Sequence, residues 1–230
     1  MVRAYFTSDV FRFLEELAAN NNKEWWEDNK RRYEEVIREP ALDFITDFGG
    51  LLDKLSPHFL AQAKTVGGSL MRPYRDVRFS KDKTPYKSNV GIHFRHESAK
   101  DVHAPGYYLH LEPGECFAGV GMWQPESAIA NAIRTKINGD AAGWRRATRS
   151  KAFTETWELS HPEEALKRLP KDYDADHPYA DDMKLKSFMA GRRLTESEVT
   201  TPDFDAALAD AYRKARVFTR FLCEAVGLPF

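Results

Sequence analysis

A short segment of the chain, RPYRDVRFSKDKTPYK, concentrates side chains that bind anions. Its six cations and two acids give a net charge of +6 − 2 = +4, whereas the whole chain carries −1. Arginine binds carboxylate and phosphate oxygens with two parallel hydrogen bonds, and lysine contributes a point charge. Because cations that converge on one point repel each other, the segment predicts a preformed site for an anion.

We expect this site to bind a phosphorylated small molecule or a nucleotide. One form of this hypothesis is an enzyme that acts on a phosphoester. Arg75, Arg78 and Lys83 are expected to hold the anion, while Asp76 orients an arginine and Tyr86 stacks or forms a hydrogen bond. The full set of predicted ligand-binding residues is Arg72, Arg75, Asp76, Arg78, Lys81, Asp82, Lys83, Tyr86 and Lys87. No residue is assigned a catalytic role.

The conformation of this segment decides which of its arginines are fixed. An extended backbone places Arg75, Val77 and Phe79 on one face, so Val77 and Phe79 are expected to anchor the segment in the core. A helical backbone after Pro73 instead aligns Arg72, Arg75 and Phe79. Either conformation fixes some arginines, and a half-buried arginine needs an acceptor because an unpaired buried charge is costly.

The two acids of the segment, Asp76 and Asp82, are candidates for general acid or base catalysis. The neighbouring arginines are expected to lower the pKa of both carboxyl groups, which favours a structural role or the support of a bound Mg²⁺ ion. Four histidines elsewhere have no cysteine or acid at familiar ligand spacing, so no metal site is predicted. These histidines are His93, His96, His103 and His110.

Two other functions fit the charged segment. A non-catalytic module that binds nucleic acid or a protein partner predicts an exposed basic strip joining residues 72–87 to residues 184–193. The second range contributes Lys184, Lys186, Arg192 and Arg193. A purely structural network of arginine, aspartate and tyrosine predicts instead that every cation of the segment has an acceptor within the protein.

Gly119 and Gly121 interrupt the alternating pattern of ECFAGVGMW. Glycine inside a strand marks a close approach of the backbone to a ligand or to another element. We favour tight packing under Trp25, Trp26 or Trp123 over a ligand. The pair is not a dinucleotide fingerprint, because the third glycine and a parallel βαβ unit are missing.

The amino-acid composition narrows the class of protein and the compartment in which we expect it. Hydrophobic residues make up 42% of the chain and charged residues 30%, which is typical of a soluble globular domain. A net charge near zero argues against a general polyanion binder. Cys116 and Cys223 show no disulfide or metal spacing, and the sequence has no signal peptide or membrane span. We therefore expect a cytoplasmic protein with no membrane partner, and its oligomeric state stays open.

Hydrophobic periodicity predicts an α+β fold with N-terminal helices, a central mostly antiparallel sheet and a long C-terminal helix. Apolar residues recur at helical spacing over residues 8–57 and alternate over residues 66–123. Helical signals return over residues 125–227 and end at Gly227. No linker divides the chain, so residues 1–230 are expected to form a single domain.

The charged segment also carries a long and specific motif. Arg-x-x-Arg-Asp-x-Arg-Phe, then Asp-Lys, then a tyrosine three residues after that lysine, runs from Arg72 to Tyr86 without departure. On this motif, and on the segments NNNKEWWEDNKRRYEEVIREP and GVGMWQP, the chain resembles the bacterial domain-of-unknown-function family 2461 over nearly its whole length. The resemblance implies a conserved hypothetical protein and assigns no activity.

Overall fold

The computed structural model describes residues 4–98, 104–159 and 165–230, and it begins with a helical block. The block consists of α1 (Ser8–Ala19), α2 (Lys23–Tyr33), a π-helical turn (Glu34–Arg38) and α3 (Glu39–Leu55). The Asn22 side chain accepts a hydrogen bond from the backbone N–H of Trp25 at 3.0 Å and so caps α2. The π-helical turn widens the helix just before Pro40, whose ring would clash with the preceding turn of an ideal α-helix.

The central sheet has five strands, and all of their pairings are antiparallel, so the predicted α+β class is confirmed. Along the sheet the order is β1-β2-β3-β5-β4. The strands are β1 (Val90–Arg95), β2 (Gly106–Leu111), β3 (Cys116–Met122), β4 (Glu158–Leu159) and β5 (Phe188–Leu194). Residues 69–71 run along the outer edge of β1, where the Met71 N–H donates to the Gly91 carbonyl at 2.9 Å.

The two faces of the sheet differ in chemistry. On one face, Phe94 stacks on Phe48 of α3 with ring centroids 4.9 Å apart, and Tyr107 packs against Phe59 at the same separation. This face is the main core. The opposite face, which we call the open face, carries His93, Tyr108, Phe117, Gly119 and Met189.

Helices that come before and after β4 and β5 in the chain complete the core. They are α4 (Ser127–Gly139), α5 (Ala141–Arg149), α6 (Lys151–Thr154), a 3₁₀ turn (Asp182–Lys184), α7 (Glu196–Val199), α8 (Phe204–Lys214) and α9 (Arg216–Ala225). None of the described helices is both long and apolar enough to cross a membrane. Cys116 and Cys223 are free thiols and both are buried.

The predicted long C-terminal helix is divided into α8 and α9. They meet at Ala215, whose φ of −91° and ψ of 1° depart from helical values. The break lets Tyr212 of α8 pack on Tyr107 of the sheet, while Phe218 and Phe221 of α9 pack on Trp144. The two helices therefore bury their apolar residues against different parts of the core, whereas the sequence predicted one continuous apolar face.

Candidate functional site

The charged segment leaves the edge of β1 and forms a loop, which we call the charged loop (residues 72–87). Tyr74 and Tyr86 form an isolated antiparallel bridge at its base. The Arg75 N–H donates to the Pro85 carbonyl at 2.9 Å, and the Lys87 N–H donates to the Pro73 carbonyl at 2.7 Å. Its two ends are therefore extended and paired.

The charged loop is anchored by Tyr86. The Tyr86 ring stacks on buried Trp26 with centroids 4.3 Å apart and 14° between the planes. The Asn21 side chain donates to the Tyr86 carbonyl at 2.9 Å and accepts from its N–H at 3.0 Å. The expected anchor at Val77 and Phe79 is wrong, because Phe79 is 95% exposed and Val77 is only partly buried.

Three of the predicted anion-binding cations already have acceptors inside the loop. Arg75 donates to Asp82 and to Thr84. Arg78 donates hydrogen bonds to the Asp76 carboxylate from Nε at 2.9 Å and from Nη2 at 2.7 Å. The Lys83 ammonium donates to the Val77 carbonyl at 2.9 Å. These three cations therefore fit the hypothesis of a structural network, in which each cation has an acceptor within the protein.

The pKa values of both loop carboxyls are depressed, as the sequence predicts. Hydrogen bonds from Arg78 lower the pKa of Asp76 to about 2, and hydrogen bonds from Arg75 and then Thr84 lower the pKa of Asp82 to about 2. Both acids are therefore ionised at neutral pH. A depressed pKa stabilises the folded loop above the ordinary value of 3.8, and this contribution is lost as the pH falls through about 2.

We expect Arg75→Ala to raise the pKa of Asp82 from about 2 toward 3.8 without changing Asp76, because each acid has its own arginine. Carboxyl ¹³C NMR titration of both residues measures the effect. Arg78→Ala is the matched control, since it should reverse the pattern. Equal pKa values for Asp82 in Arg75→Ala and in the wild-type protein would contradict the pairing.

The other cations of the loop lack such acceptors. Lys87 is partly buried, and its pKa is lowered by burial and then by the positive charge of Arg72. Lys87 lines a narrow cleft together with Phe13 and Tyr33. Among the described residues, no acid or hydrogen-bond acceptor pairs with the side chains of Arg72, Lys81 or Lys87.

The open face of the sheet carries a chain of polar side chains outside the set of residues predicted from the sequence. The Tyr108 hydroxyl lies 3.0 Å from Nδ1 of His110, whose Nε2 lies 2.9 Å from a carboxylate oxygen of Glu112. Asn89 donates its side-chain N–H to the same Nδ1 at 3.4 Å. Because an amide nitrogen can only donate, Nδ1 is the acceptor and the His110 Nε2–H donates to Glu112. The signal was present in the sequence, since Tyr108, His110 and Glu112 recur at a spacing of two.

A cavity of about 330 Å³ lies on the open face beside this chain. Its wall includes Met71, His93, Tyr108, Phe117 and Trp123. Burial, and then the charge of Arg95, lowers the pKa of His93 to about 4, so its imidazole is neutral at pH 7.

The two glycines of β3 differ in whether close packing requires a residue without a side chain. Gly121 has a φ of 115°, and a Cβ there would lie 2.2 Å from the Phe188 carbonyl oxygen. The close approach expected from the sequence is present, but the neighbour is the backbone of β5. A Cβ on Gly119 would meet only ordinary contacts, the nearest at 3.7 Å. Packing therefore does not explain the glycine at position 119.

His96 and His103 are the other two histidines of the four grouped from the sequence. His96 is buried, with Nε2 3.0 Å from the Pro229 carbonyl oxygen. His103 lies outside the described residues. Within the described part of the chain, no group of three or more His, Cys, Asp or Glu side chains is placed to hold a metal ion.

The second basic segment lies apart from the charged loop. Lys184 pairs with Asp181 at 2.7 Å and Arg192 pairs with Glu198 at 3.0 Å. Arg193 is exposed on β5, which two strands separate from β1. A continuous basic strip from the loop to this segment would have to cross β2 and β3.

Comparison with known proteins identifies one family. The model of a conserved hypothetical protein family, DUF2461, matches residues 9–221 and confirms the resemblance carried by the motif. No curated protein and no solved structure gives a significant match.

Proposed function

Because the chain belongs to the conserved hypothetical protein family DUF2461, we propose its function from the site alone: it binds a small phosphate-bearing molecule at the charged loop. Arg72 and Lys87 contact the phosphate, and Lys81 at the exposed part of the loop attracts it. A nucleotide or a sugar phosphate is the class of ligand that fits. The observation that carries the proposal is the partly buried Lys87 beside Arg72, without an acid for either side chain among the described residues.

The charge balance of the loop supports this assignment. Arg75 with Asp82 and Arg78 with Asp76 form two internal pairs that cancel. The net charge of +4 therefore resides on Arg72, Lys81, Lys83 and Lys87. Two neighbouring cations, one of them partly desolvated, destabilise each other, and an anion between them removes this cost. In this proposal the two internal pairs shape the loop, and Tyr86 fixes it to the helical block.

A thermal-shift experiment tests the proposal with inorganic phosphate, AMP and glucose 6-phosphate, each with and without Mg²⁺. A ligand at about 100 times its Kd adds about 2.7 kcal/mol of stability. For a chain of this size, that raises the Tm by roughly 5–10 °C. We expect Arg72→Ala and Lys87→Met to abolish the shift and Arg193→Ala to preserve it.

Two results would overturn the proposal. One is the absence of a shift with every phosphate compound. The other is a shift that survives in both Arg72→Ala and Lys87→Met, which would place the ligand elsewhere. A shift that requires Mg²⁺ would assign Asp76 and Asp82 a metal-supporting role.

Binding of nucleic acid is the second candidate, favoured by the exposed Arg193 and Lys186 on the far side of the sheet. A short single-stranded oligonucleotide is the probe. Binding in this mode should weaken steeply with salt and should fall in Arg193→Ala as well as in Arg72→Ala. A shift with AMP that equals the shift with the oligonucleotide would favour the small ligand.

A further inference from the structure

The cavity on the open face has the size and composition of a ligand site. Its volume of about 330 Å³ lies within the usual range for small-molecule pockets. Aromatic rings and thioethers dominate its wall, which includes Tyr108, Phe117, Trp123, Met71 and Met189. Within the described residues, this wall has no Asp, Glu, Lys or Arg side chain. Such a lining suits a flat apolar molecule and disfavours an ion.

The floor of the cavity is open because position 119 lacks a side chain. A Cβ on Gly119 would lie 3.7 Å from Cβ of Tyr108 and 3.9 Å from Cε of Met189, both ordinary contact distances. Any larger side chain would extend beyond these contacts into the cavity. The glycine therefore keeps space free above the backbone of β3.

Two polar groups face this space. The ring of His93 lies over the backbone of Gly106, where a Cβ would come within 2.2 Å of Nε2. No hydrogen bond to the His93 ring is found among the described residues. The Tyr108 hydroxyl and the Met71 sulfur both lie near Gly91, 2.9 and 3.0 Å from the position of a Cβ on that residue.

The hydrogen bonds of the polar chain determine whether the Tyr108 hydroxyl can donate a hydrogen bond to a ligand or accept one from it. Nδ1 of His110 is an acceptor, so the Tyr108 O–H proton points to it. Burial and then Glu112 raise the pKa of Tyr108 to about 12, so the hydroxyl keeps this proton. Its oxygen retains a lone pair, and it is therefore an acceptor for an N–H or O–H group in the cavity.

We propose that this cavity binds an uncharged small molecule that has a flat aromatic ring and an N–H or O–H donor, which the Tyr108 oxygen accepts. The site is on the face of the sheet opposite the main core and is independent of the phosphate proposal. Gly119 provides the floor, Phe117 and Trp123 provide ring contacts, and His93 offers a second polar contact.

Methionine methyl NMR tests the proposal with indole as the probe. The chain has five methionines, of which Met71 and Met189 line the cavity, while Met122 and Met183 are buried in the core. Indole should shift the Met71 and Met189 signals in a saturable way, with a Kd of about 1 mM or below. The Met122 and Met183 signals should stay in place. Benzofuran, which lacks the N–H, should bind about five to ten times more weakly.

The effect of ligand charge and the effect of the free space at position 119 are tested separately. Benzoate at the same concentration should leave Met71 and Met189 unshifted, because no Lys or Arg lines the cavity in the described part of the chain. Gly119→Val should weaken indole binding at least about tenfold through lost space. Gly191→Val is the matched control, because Gly191 pairs with Gly119 on β5, has no atom within 4 Å of its Cβ position, and is outside the cavity wall.

Three outcomes would overturn the proposal: no saturable shift of Met71 or Met189 with indole, equal indole affinity in Gly119→Val and wild type, or equal affinity for benzoate and indole. Signals of Met71 and Met189 that move with protein concentration alone would show that a second copy of the chain covers the face instead. If Gly119→Val does not fold, Gly119→Ala, whose Cβ fits at ordinary contact distance, should still weaken indole binding.

Discussion

Trp26→Ala is expected to lower the free energy of unfolding by about 4 kcal/mol, a typical loss for a buried tryptophan. The Trp26 side chain is 1% exposed and contacts Tyr33, Tyr74 and Tyr86. Its removal opens a void between α2 and the base of the charged loop. Urea denaturation followed by far-UV circular dichroism measures the loss.

Trp26→Phe is the matched control for this effect. The indole Nε1–H of Trp26 has no hydrogen-bond partner among the described residues, so phenylalanine removes an unsatisfied donor and keeps an aromatic ring against Tyr86. We expect a loss of about 1–2 kcal/mol. Equal losses in the two variants would show that the stack does not anchor the loop.

Gly121→Ala is expected to destabilise the protein by about 4 kcal/mol or more, at the upper end for a single substitution. The added Cβ would lie 2.2 Å from the Phe188 carbonyl oxygen, and the φ of 115° is strained for any L side chain. The overlapping atom is backbone, so relief requires β3 and β5 to separate. Urea denaturation and amide hydrogen exchange in β5 report the loss.

Gly119→Ala, two residues earlier on β3, separates this collision from the general effect of replacing a strand glycine. Its Cβ would meet no atom closer than 3.7 Å. We expect its free energy of unfolding to stay within about 1 kcal/mol of wild type. A loss in Gly119→Ala as large as that in Gly121→Ala would mean that strand propensity, and not the Phe188 carbonyl, sets the cost.

The sequence was sufficient for the fold class because periodicity is a local property. The helices before the sheet and the antiparallel strands follow from the spacing of apolar residues. The break at Ala215 does not, because alanine is a good helix former and the cause lies in tertiary packing of Tyr212 and Phe218. The π-helical turn before Pro40 is likewise a compromise between a local clash and a continuous buried face.

The position of the charged loop in the chain was predictable from the sequence, but its ion pairs were not. Charge density alone identified the charged loop. Which cation meets which acid depends on the folded path of the chain, so the sequence did not separate Arg75, held by Asp82, from Arg72, for which no acid is found among the described residues. The open-face cavity does not follow from the sequence, because the alternating pattern places Tyr108 and Phe117 only on separate strands. Their shared function requires knowledge of the register between β2 and β3.

Met71 lies between the open-face cavity and the narrow cleft that Lys87 lines. It lines the cavity on the open face and also the narrow cleft that contains Lys87. A methionine side chain has three rotatable bonds and adapts to its surroundings, so a molecule in the open-face cavity can repack it and move the wall of the cleft beside Lys87. Thermodynamic linkage then requires reciprocity: the factor by which the aromatic molecule changes phosphate affinity must equal the factor by which phosphate changes the affinity for the aromatic molecule. Measured coupling between the two proposed ligands would therefore report on the position of the Met71 side chain.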